Sequence, residues 1–296
     1  MAALLTKVKA RMTIHAHRKT RGLLQGDYAS VFHGHSLDFD DLREYVPGDE
    51  VRDIDWKATA RHSTPLVKRY VAHRRHALAL VVDSGMDFDA IAASGEPKRE
   101  LAILLAGMAG YLAVRHGDDV MLVHGDARTT HSSPMKGTEA HLEQLLRRIQ
   151  AAGRSAAGSR ISAQLTWVAE HLRRRMIVLV IADESPVTEE HLPLLRRLAA
   201  QHEIMWLTIA DADLSTLGGE AGAPYEITAA ERGGLPDELL SGAALWDEYH
   251  RAEAARRRET ALTLRRAGIA HVRVAHSQEA LGQLRRLMKR QRRERR

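Results

Sequence analysis

The chain contains no cysteine in 296 residues. That excludes a disulfide framework and any thiolate metal site, and it fits a reducing compartment. No window approaches an uncharged apolar span of membrane length. The opening Met1-Ala2-Ala3-Leu4-Leu5-Thr6-Lys7 has too short an apolar run for a signal peptide. The expected location is therefore the cytoplasm. Catalytic signatures are scarce as well. There is no Gly-x-x-x-x-Gly-Lys phosphate loop, no His-Glu-x-x-His, no Gly-x-Ser-x-Gly elbow and no cysteine nucleophile. The sequence thus points away from an enzyme.

What remains is ordinary globular material, 44% apolar and 28% charged, long enough to bury a full core. The net charge of +6 is unevenly spread. Residues 285–296 carry eight Lys/Arg and one Glu, so the other 284 residues sum to −1. A basic end of this kind reads as the solvated end of a last helix. The alternative is an electrostatic contact with nucleic acid or an anionic surface.

Three segments follow in order: residues 1–75, a helical lead-in and small β module; 76–284, an α/β domain; and 285–296, the basic tail. Helix is expected over 3–25. His15 and His17 would face different sides of it, and His33 and His35 could share one face of a strand; neither pair has the third ligand that a zinc site needs. Pro65–Val71 alternates like a strand and is expected to pair back on residues 50–57.

From residue 77 the pattern changes. Ala77–Val82 and Met176–Ala182 are continuous apolar runs that end at Asp83 and Asp183. Such runs suit strands covered on both faces. Further strands are read over 119–124, 203–210 and 269–275. Helices are read over 98–115, 138–150, 159–174, 188–201, 243–267 and 277–290, with a Gly-rich loop over 211–225. Strand–helix alternation predicts an α/β fold with a doubly wound, mainly parallel sheet. In such sheets ligands bind beyond the carboxyl ends of the strands, which is where Asp83 and Asp183 fall.

The densest stretch is Arg43-Glu44-Tyr45-Val46-Pro47-Gly48-Asp49-Glu50-Val51-Arg52-Asp53-Ile54-Asp55-Trp56-Lys57, followed by Ala60-Arg61. Pro-Gly is turn chemistry. So many charges beside Tyr45 and Trp56 read either as a salt-bridged surface hairpin or as a docking platform. Trp56 and Ile54, with Asp55, are expected to pack as a clasp; Arg43, Asp49 and Arg52 are expected to be presented. A hydrolase alternative would group Asp49, Asp53 and Asp55 with Lys57 around a metal.

These identities, Arg-Glu-Tyr, Pro-Gly-Asp, Val-Arg-x-Ile-Asp-Trp and Ala-Arg in one ungapped run, resemble the signature of the DUF58 family, whose members carry a von Willebrand factor A-like domain. The likeness covers roughly residues 20–280. Upstream, the family's Gly-x-Gly-x-Glu-Phe is only partly kept, as Gly34-His35-Ser36-Leu37-Asp38-Phe39. The resemblance marks Arg43, Glu44, Tyr45, Asp49, Arg52, Asp55, Trp56 and Arg61 as signature or partner-binding residues. It also implies a divalent-metal site of the pattern Asp-x-Ser-x-Ser, with a Thr and a second Asp from other loops, for which Mg²⁺ is the expected ion. Here Asp83 and Asp183 match and Thr138 stands for the threonine. Gly85 and Asp87 replace the two serines. Either Asp87 substitutes for a hydroxyl ligand, or the site is degenerate. The resemblance further implies a MoxR-type AAA+ ATPase as partner and an adaptor role toward a client protein. Longer members resemble this chain with membrane spans added before it.

Overall fold

The computed structural model describes residues 3–15, 39–47, 49, 51, 54–61, 64–70, 76–152, 157–213 and 243–294. They fall into two units, Phe32–Arg75 and, separately, Met1–Val31 with His76–Arg296. The helical lead-in therefore groups with the larger unit and not, as the sequence suggested, with the β module; the division after Arg75 coincides with the expected one.

The larger unit is built on six strands in the order β5-β4-β3-β6-β7-β8. These are β3 (Ala77–Asp83), β4 (Asp119–Gly125), β5 (Thr130–Ser132), β6 (Ile177–Ala182), β7 (Glu203–Ile209) and β8 (Ala270–Val274). All neighbours are parallel except β4 and β5. The doubly wound sheet is as expected. The edge strand β5 was not, because it is three residues long and polar. A local device makes it: Asp126 Oδ1 accepts from the amides of Arg128 and Thr129 at 2.7 and 2.8 Å, closing the turn that folds β5 back on β4.

Side-chain alternation splits the core into two layers. Ala77, Ala79, Val81, Val178, Val180 and Ala182 lie in one buried cluster with Leu165 and Val168 of α5 (Ile161–His171), Leu195 and Leu198 of α6 (Leu192–Gln201) and Trp206. The alternate residues Leu78, Leu80, Val82, Leu179 and Ile181 are equally buried. On their side runs α3 (Lys98–Arg115), which is buried nearly all round.

An all-round apolar helix needs cover on its outer side too. That cover comes from α4 (Glu139–Ala151) and from α1 (Leu4–His15), which buries Leu5, Val8 and Met12. Gly107 and Gly110 let these two helices approach: a β-carbon on them would lie 2.6 Å from Val8 and 2.5 Å from Leu142. At the α1 N-terminus, Glu143 accepts from the free amides of Leu4 and Leu5 at 3.1 and 2.8 Å, so the helix is capped by another element.

The chain ends in α7 (Ala243–Arg266) and α8 (Ala280–Glu294). Gly268 follows α7 at φ 72°, the C-terminal stop expected of it. Residues 285–294 are not a separate tail. Leu284, Leu287, Met288 and Gln291 are buried, while Arg286, Lys289 and Arg292 are exposed. Among the described residues no helix is long and apolar enough to cross a membrane.

The smaller unit is an antiparallel pair, β1 (Phe39–Glu44) with β2 (Leu66–Tyr70), plus the single-turn α2 (Trp56–Thr59). The partner of β2 along its length is thus residues 39–44 and not 50–57; from the described residues of the latter run, Ile54 bridges to Val67 and Asp55 N–H donates to Leu66 O at 2.8 Å. His33, His35, Arg52, Asp53 and most of the Gly-rich loop lie outside the described residues, as do the side chain of His15 and all of His17.

Leu80 lies in the middle of β3 with no solvent exposure. Leu80→Ala is expected to cost ~2–5 kcal/mol through lost burial and a residual cavity, read as a lower urea midpoint by circular dichroism.

Candidate functional site

The strand order reverses direction between β3 and β6, so the sheet's switch point lies at their carboxyl ends. The residues that end them there are Asp83 and Asp183, both buried. Each takes a hydrogen bond from the backbone two residues on: Gly85 N–H to Asp83 Oδ1 at 3.0 Å, and Ser185 N–H to Asp183 Oδ1 at 2.9 Å. Asp87 joins from the 3₁₀ turn after β3, where its Oδ2 accepts from Ser159 N–H at 3.0 Å. Asp83 thus lies within electrostatic reach of Asp183 and Asp87.

Thr138 is not among them. Its hydroxyl caps α4 by accepting from His141 N–H at 3.2 Å. Its neighbour Gly137 lies against Asp118 and Asp119, at the start of β4. The seven residues of β4 put ~20 Å between that point and the strand ends. The hydroxyl that does reach the site is Ser159, in the loop before α5. Its only sequence signal is a Gly158-Ser159 pair between two helical patterns.

Asp83 is fully buried, and its Oδ2 makes no hydrogen bond of normal geometry. Burial pushes its carboxyl up to about 7; the Gly85 amide opposes this, the Asp183 charge adds to it, and the nearby Ser159 hydroxyl relieves it in part. Among the described residues, Asp83, Asp87 and Asp183 have no ion-pair partner. The cations of this edge are spent elsewhere. Lys98, buried at the start of α3, pairs with Asp211 just beyond β7. Glu184 accepts from Arg273 at 2.6 and 3.0 Å and pairs with Arg257 at 3.0 Å. Burial alone would raise the Glu184 pKa, but the Arg273 hydrogen bonds and the Asp211 amide hold it below the usual carboxylate range. Each of these pairs keeps one partner partly in water, which screens it, so its net contribution falls short of that of a fully buried pair. None of these pairs was legible in the sequence, because their members lie 73, 89 and 113 positions apart.

The donors do not fit a divalent cation. A hard ion of this class takes six or more oxygens. Among the described residues no three His, Asp or Glu side chains converge closely enough to hold one. Beside the acids lies a cavity of about 270 Å³, with Ser159, Ser162 and Ser185 at its polar side and Leu165, Leu195 and Trp206 at its apolar side.

In the smaller unit, local structure absorbs the signature acids. Asp49 bonds the guanidinium of Arg43 and accepts from Val46 N–H at 3.0 Å, fixing the Pro47 turn. The Arg43 hydrogen bond, then that amide, hold the Asp49 carboxyl below its usual range. Asp55 caps α2, its Oδ1 accepting from Lys57 and Ala58 N–H at 3.0 Å each. Two acids of the hydrolase alternative are thus committed to the backbone. Trp56 is no clasp: it is 64% exposed. Glu44 and Arg61 are exposed and Tyr45 is half-buried.

The raised pKa of Asp83 has a definite sign. Its ordinary value is 3.8. Between that and about 7 the folded state holds a proton that the unfolded state releases, so the group destabilises progressively as pH rises through this window. His124 and His271, each pushed down to about 4 chiefly by burial, act oppositely from about 4 to 6.5. The parent's own profile mixes these effects, and a variant isolates the acid. Asp83→Asn is expected to raise the melting temperature by several degrees near pH 8 and by much less near pH 5, read by thermal melts across pH.

Comparison with known proteins places the chain at the level of family. An uncharacterised protein of Mycobacterium tuberculosis (strain ATCC 25618 / H37Rv) is 30% identical over 258 residues, covering 85% of this chain and 78% of its own. An uncharacterised protein of Mycobacterium bovis matches with the same figures. Among solved structures, the conserved hypothetical protein BatB from Bacteroides thetaiotaomicron aligns at TM-score 0.43 and 14% identity, over 73% of this chain and 98% of its own. A von Willebrand factor type A protein from Catenulispora acidiphila aligns at TM-score 0.43 and 7% identity, over 75% of this chain and 43% of its own. The model of the family described as protein of unknown function DUF58 matches residues 41–259, and the chain belongs to that family.

Proposed function

We propose that this protein is a non-enzymatic interaction module that links a MoxR-type AAA+ ATPase to a client protein in chaperone-like remodelling or maturation, in the cytoplasm. One observation carries the interaction reading. Four large hydrophobic side chains are exposed among the described residues, and three of them, Val46, Val51 and Trp56, belong to the signature stretch. Asp49 and Asp55 hold the turn and the helical turn that display them. Exposed apolar residues rimmed by charge are the composition of a binding surface, with an exposed Trp as the natural anchor. The partner class is drawn from the family resemblance. The client is a protein recognised by that assembly.

A pull-down with the purified MoxR-type ATPase of the same genome, with and without nucleotide, tests the reading. Trp56→Ala and Val51→Asp are expected to lose capture at least tenfold while melting like the parent, since both side chains are exposed. Arg52→Glu is expected to weaken capture as well. Equal capture by the parent and all three folded variants would remove the small unit from the interface.

A further inference from the structure

Among the described residues the strand-end acids have neither an ion-pair partner nor a cation-binding geometry, yet each is satisfied in the same way. Gly85, Ser159 and Ser185 each give one backbone N–H to Asp83, Asp87 and Asp183 respectively. The segment Ala157–Ser159 is fixed over the site by two further bonds, Met86 N–H to Ala157 O and Ala127 N–H to Gly158 O, both 2.9 Å. It passes so close to Gly85 that a β-carbon there would lie 2.6 Å from Gly158 O and from Ser159 N. These neighbours are backbone atoms, which cannot swing aside as a flexible side chain can. A serine at position 85, the residue an Asp-x-Ser-x-Ser site places there, cannot be accommodated unless the segment moves.

We infer that this end of the domain works without a divalent cation, the backbone of Ala157–Ser159 filling the space over Gly85 and its amide taking the charge of Asp87. Backbone N–H groups supply the partial positive charge that an ion would otherwise provide. Asp83 Oδ2 is the one oxygen of the three carboxylates that is both buried and without a hydrogen bond. Mg²⁺ keeps several of its waters but still needs carboxylates that converge on it, and among the described residues no three acids do so. Asp87 is then a positioning residue for the loop and not a metal ligand.

The test uses the whole protein and no partner, so its outcome is independent of the ATPase reading. Chelator-treated protein is titrated with Mg²⁺ and with Mn²⁺ by calorimetry and melted in millimolar ion. No saturable heat and an unchanged melting temperature are expected. One-site heat, or a rise in melting temperature, that Asp83→Asn abolishes would overturn the inference. Gly85→Ser is expected to melt several degrees lower and to remain indifferent to the ions; melting like the parent would show that the segment does not occupy this space. Should that variant fail to fold, Asp87 provides the second measurement. By hydrogen exchange, Asp87→Ala is expected to speed exchange of the Ser159 amide at least tenfold, and Asp87→Asn, which keeps an acceptor oxygen, by much less. Equal protection in the parent and Asp87→Ala would also overturn the inference.

Discussion

The controlling constraint is that β3 and β6 are apolar on both faces. Ala77–Val82 and Ile177–Ala182 expose essentially nothing, so neither face of the sheet can be left to water. Helices must cover both. On one face α5 and α6 do so, with Leu264 of α7 joining the same cluster. On the other, α3 is itself apolar nearly all round and passes the requirement outward to α4 and α1. The N-terminal helix is thus part of the large unit because α3 would otherwise show water an apolar side. Two glycines at the α3 surface set how closely that outer layer can approach.

The same burial dictates the chemistry of the strand ends. A carboxylate at the end of a fully covered strand is deprived of water and must find donors, cations or a proton. Around this sheet all three remedies appear. Glu184 takes two arginines and Asp211 takes Lys98. Asp83, Asp87 and Asp183 take backbone amides. Asp83 in addition titrates near neutrality. Among the described residues the cations thus go to one group of acids, while the neighbouring group relies on backbone amides.

The small unit shows the opposite economy. Its charges are numerous but their work is local: a turn pinned by Asp49 and a helical turn capped by Asp55. The net worth of such exposed contacts is small, ~0–1 kcal/mol for an ion pair and ~1 kcal/mol for a cap. Their effect is geometric, holding Val46, Val51 and Trp56 in water on a fixed frame.

The order of the main strands and helices was legible because each depends on short-range patterns: continuous apolar runs, helical spacing, and Gly268 after a long helix. Asp83 and Asp183 were legible because strand ends can be read from the same runs. The edge strand β5 was not, since three polar residues carry no periodicity and a side-chain turn makes them a strand. The partner of β2 was misread because alternation says that a strand exists but not what it pairs with. Thr138 and Ser159 mark the boundary most clearly. Both are hydroxyls beside a glycine in a loop, alike in sequence. Only the packing of α4 and α5 against the sheet decides that one caps a helix at the far edge and the other lies against Asp83. Which polar groups meet across a hundred residues is set by how helices stack, and that information is spread over the whole core.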